Sequence, residues 1–229
     1  VVTFAGAGDP LLHPEFDAMV ALARDAGIGG VHIRTTLDVE PPVVDRLAAC
    51  APDVVSIDLH ADRGATAAAM FGTDHLGRLI DNIVRLQGGR RRFSPGDSLA
   101  LGLPWIVPRI VRCDETYEDI DTFFDRWQHL FGAAVIEGTP PYEGTVHEAP
   151  NDLERAATPL NVARREGRRR LIVCADGTVP MCELELPERP CAGSIMERPL
   201  EDLWRDVLAW RRAAWADGGM TPRTRMARP

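Results

Sequence analysis

The first 137 residues repeat one arrangement: a short apolar run, a turn, and a segment whose apolar residues recur at helical spacing. Val1 to Ala5 is continuously apolar, as expected of a strand buried on both faces. Pro14 to Ala26 follows, with Phe16, Met19, Val20, Leu22 and Ala23 on a helical period, and Gly27 ends it. Val31 to Thr36 is a second strand, Pro41-Pro42 opens a helix through Ala49, and Val54 to Leu59 is a third strand. Leu76 to Leu86 is amphipathic, and Leu99 to Val111 supplies a strand that Pro104 or Pro108 interrupts. Tyr117 to Phe131 presents Ile120, Phe123, Phe124, Trp127 and Phe131, and Ala133 to Glu137 closes the series. Such alternation predicts right-handed βαβ units on a parallel sheet, with ligands bound outside the carboxyl ends of the strands. Four loops meet that rule, those after Ala5, Thr36, Leu59 and Glu137.

Beyond Glu137 the pattern changes. Residues 140–165 are proline-rich, polar and aperiodic, and read as a linker. Within 166–217, Arg170 to Cys182 reads as a β-hairpin turning at Asp176-Gly177. Pro199 to Ala214 carries Leu200, Leu203, Trp204, Val207, Leu208 and Trp210 as an amphipathic helix, and 218–229 is a polar tail. A net charge of −8 gives no basic field for nucleic acid or an anionic membrane surface. Arg90-Arg91-Arg92 and the cluster from Arg164 to Arg170 read as solvated faces, with a peptide or nucleic-acid contact as the alternative. No apolar run is long enough to span a bilayer, and no signal peptide opens the chain. Five cysteines, an odd number with no framework spacing, suit a reducing cytoplasm. The chain starts inside an apolar strand with no Met and no cap, so we expect a fragment whose N-terminal part is missing.

The residues that could carry chemistry gather at the strand ends. Gly6 and Gly8 have no side chain, so backbone in Gly6-Ala7-Gly8-Asp9-Pro10 can approach a ligand closely. Asp9 sets a carboxylate beside it, suited to an ammonium group; the alternative is a strand-to-helix turn with Asp9 as cap. The spacing is neither the dinucleotide fingerprint nor a phosphate loop. Ser56 and Asp58, two apart, share one face of their strand end, or cap a loop. His60 follows as a substrate contact or a polar rim residue, and Glu137 is a further substrate-side candidate. His13 and His32 read as locally satisfied residues, and Cys50 and Cys113 as small core or surface residues. Cys174, Cys182 and Cys191 are close in sequence but one short of the four thiolates an iron–sulfur cluster normally takes. A reduced, metal-free hairpin, a cluster with an open site and a zinc site all stay open for them.

Phe4 to Pro14, with its glycine turn and Leu11-Leu12-His13-Pro14, resembles the second-strand motif of radical S-adenosylmethionine enzymes, a Gly-Gly-Glu-Pro-type turn before Leu-Leu-His-Pro. Thr35-Thr36-Leu37 stands where that family has Thr-Asn-Gly, and Val55-Ser56-Ile57-Asp58 matches its fourth-strand Ser-x-Asp. Met70-Phe71-Gly72, then Asn82-Ile83 and Leu86, match the following stretch. The hairpin with Gly177 and Cys182, then Gly193-Ser194-Ile195 and Leu200 to Trp204, resembles the family's SPASM or twitch extension.

The resemblance implies an α/β fold: a partial parallel (β/α) barrel over 1–139 lacking its first strand or strands, with a small α+β extension over 166–217. It implies S-adenosyl-L-methionine held by Gly6, Ala7, Gly8, Asp9 and Pro10, with Thr35, Ser56, Asp58 and His60 on the cofactor side. A catalytic [4Fe–4S] cluster would be bound by a Cys-x3-Cys-x2-Cys loop that this chain does not contain. Cys174, Cys182 and Cys191 would be ligands of an auxiliary cluster. The implied partners are a small-molecule or peptide substrate and an electron donor such as flavodoxin or ferredoxin. The alternatives are a degenerate, non-catalytic relative that binds a peptide or partner, and a metal-dependent TIM-barrel enzyme with Asp9 and Asp58 on the metal.

Overall fold

The structure, a computed structural model, describes residues 1–6, 8–92, 102–138, 170–181 and 190–216. The chain divides into two compact units, Val1–Gly138 and Thr139–Pro229.

In the first unit five parallel strands are hydrogen-bonded in chain order: β1 (Val2–Phe4), β2 (Val31–Thr35), β3 (Val54–Asp58), β6 (Trp105–Arg112) and β7 (Val135–Gly138). A short antiparallel ribbon, β4 (Arg91–Arg92) with β5 (Gly102–Leu103), lies outside that sheet. The connections carry helices α1 (Phe16–Asp25), α2 (Pro41–Cys50), α3 (Gly64–Phe71), α4 (Leu76–Gly89) and α5 (Ile120–Phe131). Right-handed crossovers that always step the same way put every helix on one face of the sheet; a doubly wound sheet must reverse its order to cover both. The core bears this out. Val31, Ile33, Val55, Ile57, Ile106 and Ile110 form one buried cluster with Phe16 and Val20 of α1, Val44 and Leu47 of α2, Leu79, Ile83 and Leu86 of α4, and Phe123 and Trp127 of α5. Each such side chain contributes about 1.5–3 kcal/mol by leaving water.

The alternate positions of the strands face the other way, and they mix apolar residues (Val54, Trp105, Val107, Val111 and Val135) with polar ones: Thr3, His32, Arg34, Ser56, Asp58, Arg109 and Glu137. A parallel sheet is usually apolar on both faces. Here one face must be satisfied by side chains bonding to one another, and that requirement builds the site.

Several sequence expectations shift by local physics. The break in the Leu99–Val111 run falls at Pro104; Pro108 stays inside β6. The Arg109 carbonyl accepts from Leu59 and His60 on the β3 side, so Pro108 faces the β7 side. Pairing with β7 starts only at Arg109–Val135, and the missing N–H costs no ladder bond there. Leu22 and Phe124, expected on buried helix faces, are exposed. The alanine-rich α3 has too few large apolar residues to announce itself by period.

In the second unit β8 (Thr178–Pro180) pairs antiparallel with β9 (Cys191–Ser194), and α6 (Leu200–Ala216) packs Leu203 and Val207 against Val179. The expected hairpin is corrected in part. The Asp176-Gly177 turn forms, with Gly177 at φ +82°, but 171–174 is no strand, and β8 takes β9 as its ladder partner. Buried Arg211 closes the unit by donating to the carbonyls of Met181 and Arg170. The linker over 140–165 and the tail over 218–229 lie outside the described residues.

Candidate functional site

The carboxyl ends of the strands hold the residues singled out above. β1 ends at Phe4, and Gly6 takes φ +148°, a conformation essentially restricted to glycine. A Cβ placed on Gly6 or Gly8 would meet no atom within 4 Å, so the backbone lies open on that side. Ala7 lies outside the described residues. Pro10 begins a short 3-10 turn, Pro10–Leu12, capped by Asp9: the Leu11 N–H donates to Asp9 Oδ1 at 3.0 Å. Asp9 Oδ2 accepts from the Thr35 hydroxyl at 2.7 Å, the Thr36 N–H at 2.8 Å and the Thr36 hydroxyl at 2.9 Å. Four donors fill a carboxylate's capacity. Asp9 is thus the cap of one reading and also the clamp that ties the turn to the end of β2.

The loop after β2 is itself held. Leu37 adopts φ +58° with its side chain fully buried, a strained combination for a bulky residue. Buried Asn82 of α4 donates both amide hydrogens across to this loop, to the carbonyls of Leu37 at 3.0 Å and Val39 at 2.9 Å.

On the polar face four charges from four strands form a closed ring. Arg34 Nε donates to Asp58 Oδ2 at 2.7 Å, and Arg34 Nη2 to Glu137 Oε1 at 2.7 Å. Arg109 Nη2 donates to Glu137 Oε2, and Arg109 Nε lies 3.2 Å from Asp58 Oδ1. The side chains are 15–33% exposed, which leaves the ring partly desolvated and without net charge. One row down, Ser56 Oγ lies 2.8 Å from His32 Nε2, and Thr3 Oγ1 lies 3.4 Å from His32 Nδ1.

His60 follows β3 at φ +49°. Its N–H donates to the Arg109 carbonyl, and its Nδ1 accepts the Val111 N–H at 3.1 Å. That bond fixes the neutral tautomer, with the proton on Nε2. Burial lowers the imidazole pKa below its ordinary value, and the nearby Asp58 and Glu137 charges only partly oppose this. The ring stacks on Phe71, which in turn contacts His75.

The structure therefore joins Asp9 to Thr35, sets Ser56 and Asp58 on one face, and puts His60 beside the ring. Asp58 is neutralised by two guanidinium groups, and the Ser56 hydroxyl is turned to His32. Chemically, the turn offers open backbone at two glycines, and His60 after β3 keeps an imidazole N–H on Nε2. Arg34 and Arg109 were not singled out in the sequence; their signal was a charged residue inside a strand that is otherwise mostly apolar.

Cys182 lies outside the described residues, Cys174 is half-buried and Cys191 is exposed. Among the described residues no group of three or more His, Cys, Asp or Glu side chains could hold a metal ion. Burial pushes the Cys50 thiol up to about 11, and raises that of Cys113 as well, so neither is poised as a thiolate. No helix of the described residues is long and apolar enough to cross a membrane.

No family model matches the chain. Over 216 residues it is 22% identical to an uncharacterized protein of Treponema pallidum (strain Nichols), an alignment that covers 90% of this chain and 57% of that protein. The chain thus spans little more than half the length of the curated relative it matches.

Proposed function

We propose that this chain carries the S-adenosylmethionine-binding part of a radical S-adenosylmethionine enzyme, as a partial (β/α) barrel with a small twitch- or SPASM-like extension. The observation that carries this reading is the glycine turn at the end of β1. It is open at Gly6 and Gly8, and it is fixed to the end of β2 by three bonds from Thr35 and Thr36 to Asp9. Two further features support it. Strands in chain order with helices on one face are what an arc of barrel wall requires. Leu37 keeps a left-handed backbone where the resembled family has glycine.

The residues present fit the ligand at the turn. Open backbone at Gly6 and Gly8 takes the methionine ammonium, because the Asp9 carboxylate is occupied by protein donors. Pro10 fixes the exit of the turn, and Thr35 orients Asp9. Ser56 and Asp58 line the ribose and carboxylate side, and His60 Nε2 donates to the bound ligand. S-adenosylmethionine supplies a carbon radical when it is reduced beside an iron–sulfur cluster. The described residues do not fit that cluster: no Cys-x3-Cys-x2-Cys loop occurs, and the buried thiols are held protonated. In this reading the cluster ligands belong to another part of the complete protein. The substrate is a small molecule or peptide, and the electron donor is a flavodoxin or ferredoxin.

The second reading is a non-catalytic relative that binds a peptide or partner. The closed charge ring and the saturated Asp9 favour it, since among the described residues they leave no uncommitted carboxylate on the polar face. A metal-dependent TIM-barrel enzyme is disfavoured, because Asp9 and Asp58 are both bonded to donors. Anaerobic reconstitution of the complete protein with iron and sulfide separates the first two readings. Uptake of about four irons per cluster with reductive cleavage of S-adenosylmethionine supports the enzyme. No iron uptake, with S-adenosylmethionine left intact, overturns it.

A further inference from the structure

A continuous hydrogen-bond chain runs from α4, which among the described residues makes no bond to the glycine turn itself, to Asp9 in that turn. It begins at Asn82, which is buried and bonded to the Leu37 and Val39 carbonyls. The Leu37 N–H donates to Thr35 Oγ1 at 2.8 Å, and Thr35 Oγ1 donates onward to Asp9 Oδ2 at 2.7 Å. Asp9 Oδ1 then accepts the Leu11 N–H. Thr36 adds two parallel donors to the same Asp9 oxygen.

Leu37 is the joint in this chain. A left-handed backbone at a bulky residue is strained and persists only where its surroundings over-determine it. Here those surroundings are a fully buried side chain and the Asn82 bond to its carbonyl. Freed of Asn82, Leu37 relaxes toward negative φ. Its N–H then swings away from Thr35 Oγ1, and Thr35 loses the partner that orients its hydroxyl toward Asp9.

We infer that Asn82 is a positioning residue for the glycine turn: it sets the backbone of Gly8 to Leu11 through Leu37, Thr35 and Asp9, without touching what the turn binds. The inference rests on the turn being the ligand site. Its structural half can be judged without that reading.

Amide hydrogen exchange on the whole chain supplies the test, with Asn82→Ala as the first variant. The expected result is at least tenfold faster exchange at Leu11 and Thr36, whose N–H groups end on Asp9, with Ile57 and Ile110 in the sheet interior unchanged. Faster exchange confined to residues 37–39 overturns the inference. Where Asn82→Ala does not fold, Thr35→Val tests the next link. It keeps the shape of the side chain and removes the hydroxyl, and it must speed exchange at Leu11 to the same degree. Unchanged exchange at Leu11 in that variant also overturns the inference. In the Thr35→Val background, Asn82→Ala must add nothing further at Leu11; an additive effect breaks the proposed order of links. A titration with S-adenosylmethionine supplies the functional arm. Binding weakened tenfold or more in Asn82→Ala, but unchanged in Arg85→Ala on the same helix, supports the positioning role. Equal loss in both variants shows a general structural effect and refutes it. If the unmodified chain does not bind S-adenosylmethionine, the proposed ligand falls, while the exchange result still decides whether Asn82 governs the turn.

Discussion

Glu137→Gln is the sharpest probe of the polar face. Glu137 accepts one hydrogen bond from Arg34 and one from Arg109, and it faces them from the edge strand β7. Glutamine keeps the shape but offers one acceptor oxygen and one amide that points donors at a guanidinium. The ring also changes from neutral to a net positive charge. Breaking a fully buried pair costs about 3–5 kcal/mol, while an exposed pair is worth about 0–1. With side chains 15–33% exposed, the ring lies between these limits, so we expect about 2–3 kcal/mol. At a urea slope of about 2 kcal/mol/M, the unfolding midpoint falls by about 1–1.5 M. Urea unfolding followed by far-UV circular dichroism at neutral pH measures this. The companion Arg34→Met/Glu137→Met must lose less than the two single substitutions together, because an apolar pair leaves no unpaired charge between them. A midpoint shift under about 0.3 M, or a double variant at least as poor as the sum, would refute the argument that the ring holds four strands together.

Other consequences are as direct. Gly8→Ala leaves the melting temperature unchanged, since nothing stands near its Cβ, while Gly6→Ala costs about 1–3 kcal/mol through its φ of +148°; calorimetry compares the two. On the proposed reading, Gly8→Ala also weakens S-adenosylmethionine binding, measured by titration calorimetry. His60 is depressed below its ordinary 6.5 by burial, so the unfolded chain binds its proton first. Its contribution to stability is present above pH 6.5 and is lost as pH falls from there through the folded value. His60→Gln removes that part of the slope in urea midpoints collected across the acid side of neutrality. At Leu37 the usual ranking inverts. Leu37→Ala loses the buried side chain and keeps the left-handed strain, whereas Leu37→Gly loses the side chain but relieves about 1 kcal/mol of strain, so glycine is the less damaging, read by the same urea midpoints.

The α/β class was legible because its signal is periodic. Strand–helix alternation depends on which residues are apolar, and the burial of Ile33, Ile57, Ile106 and Ile110 follows from that pattern directly. The hairpin near Asp176-Gly177 was half legible. Asp-Gly specifies a turn, but which strand completes the ladder depends on tertiary pairing, and β9 competes better for β8 than residues 171–174 do. The short α3 was invisible to periodicity because alanines carry little amphipathic contrast.

The candidate site shows a different limit. Residue types pointed to the carboxyl ends of the strands, but partner choice decides what each side chain bonds. Asp9 was expected either to offer its carboxylate to a ligand or to cap the turn; it caps it, and its other donors are the hydroxyls and N–H of Thr35-Thr36, 26 and 27 positions away in sequence. Asp58 was expected to face a ligand or to cap a loop, and two arginines on flanking strands pair with it instead. Both outcomes follow from a single constraint. A parallel sheet covered by helices on one side only must satisfy a polar second face, and side chains on adjacent strands do this at distances no sequence spacing reveals. A ligand at this edge therefore meets oriented backbone and an imidazole N–H before it meets any uncommitted charge. That ordering favours a ligand recognised by hydrogen bonding at the turn, and it makes Gly8, rather than Asp9, the position where substitution should change binding and leave the fold intact.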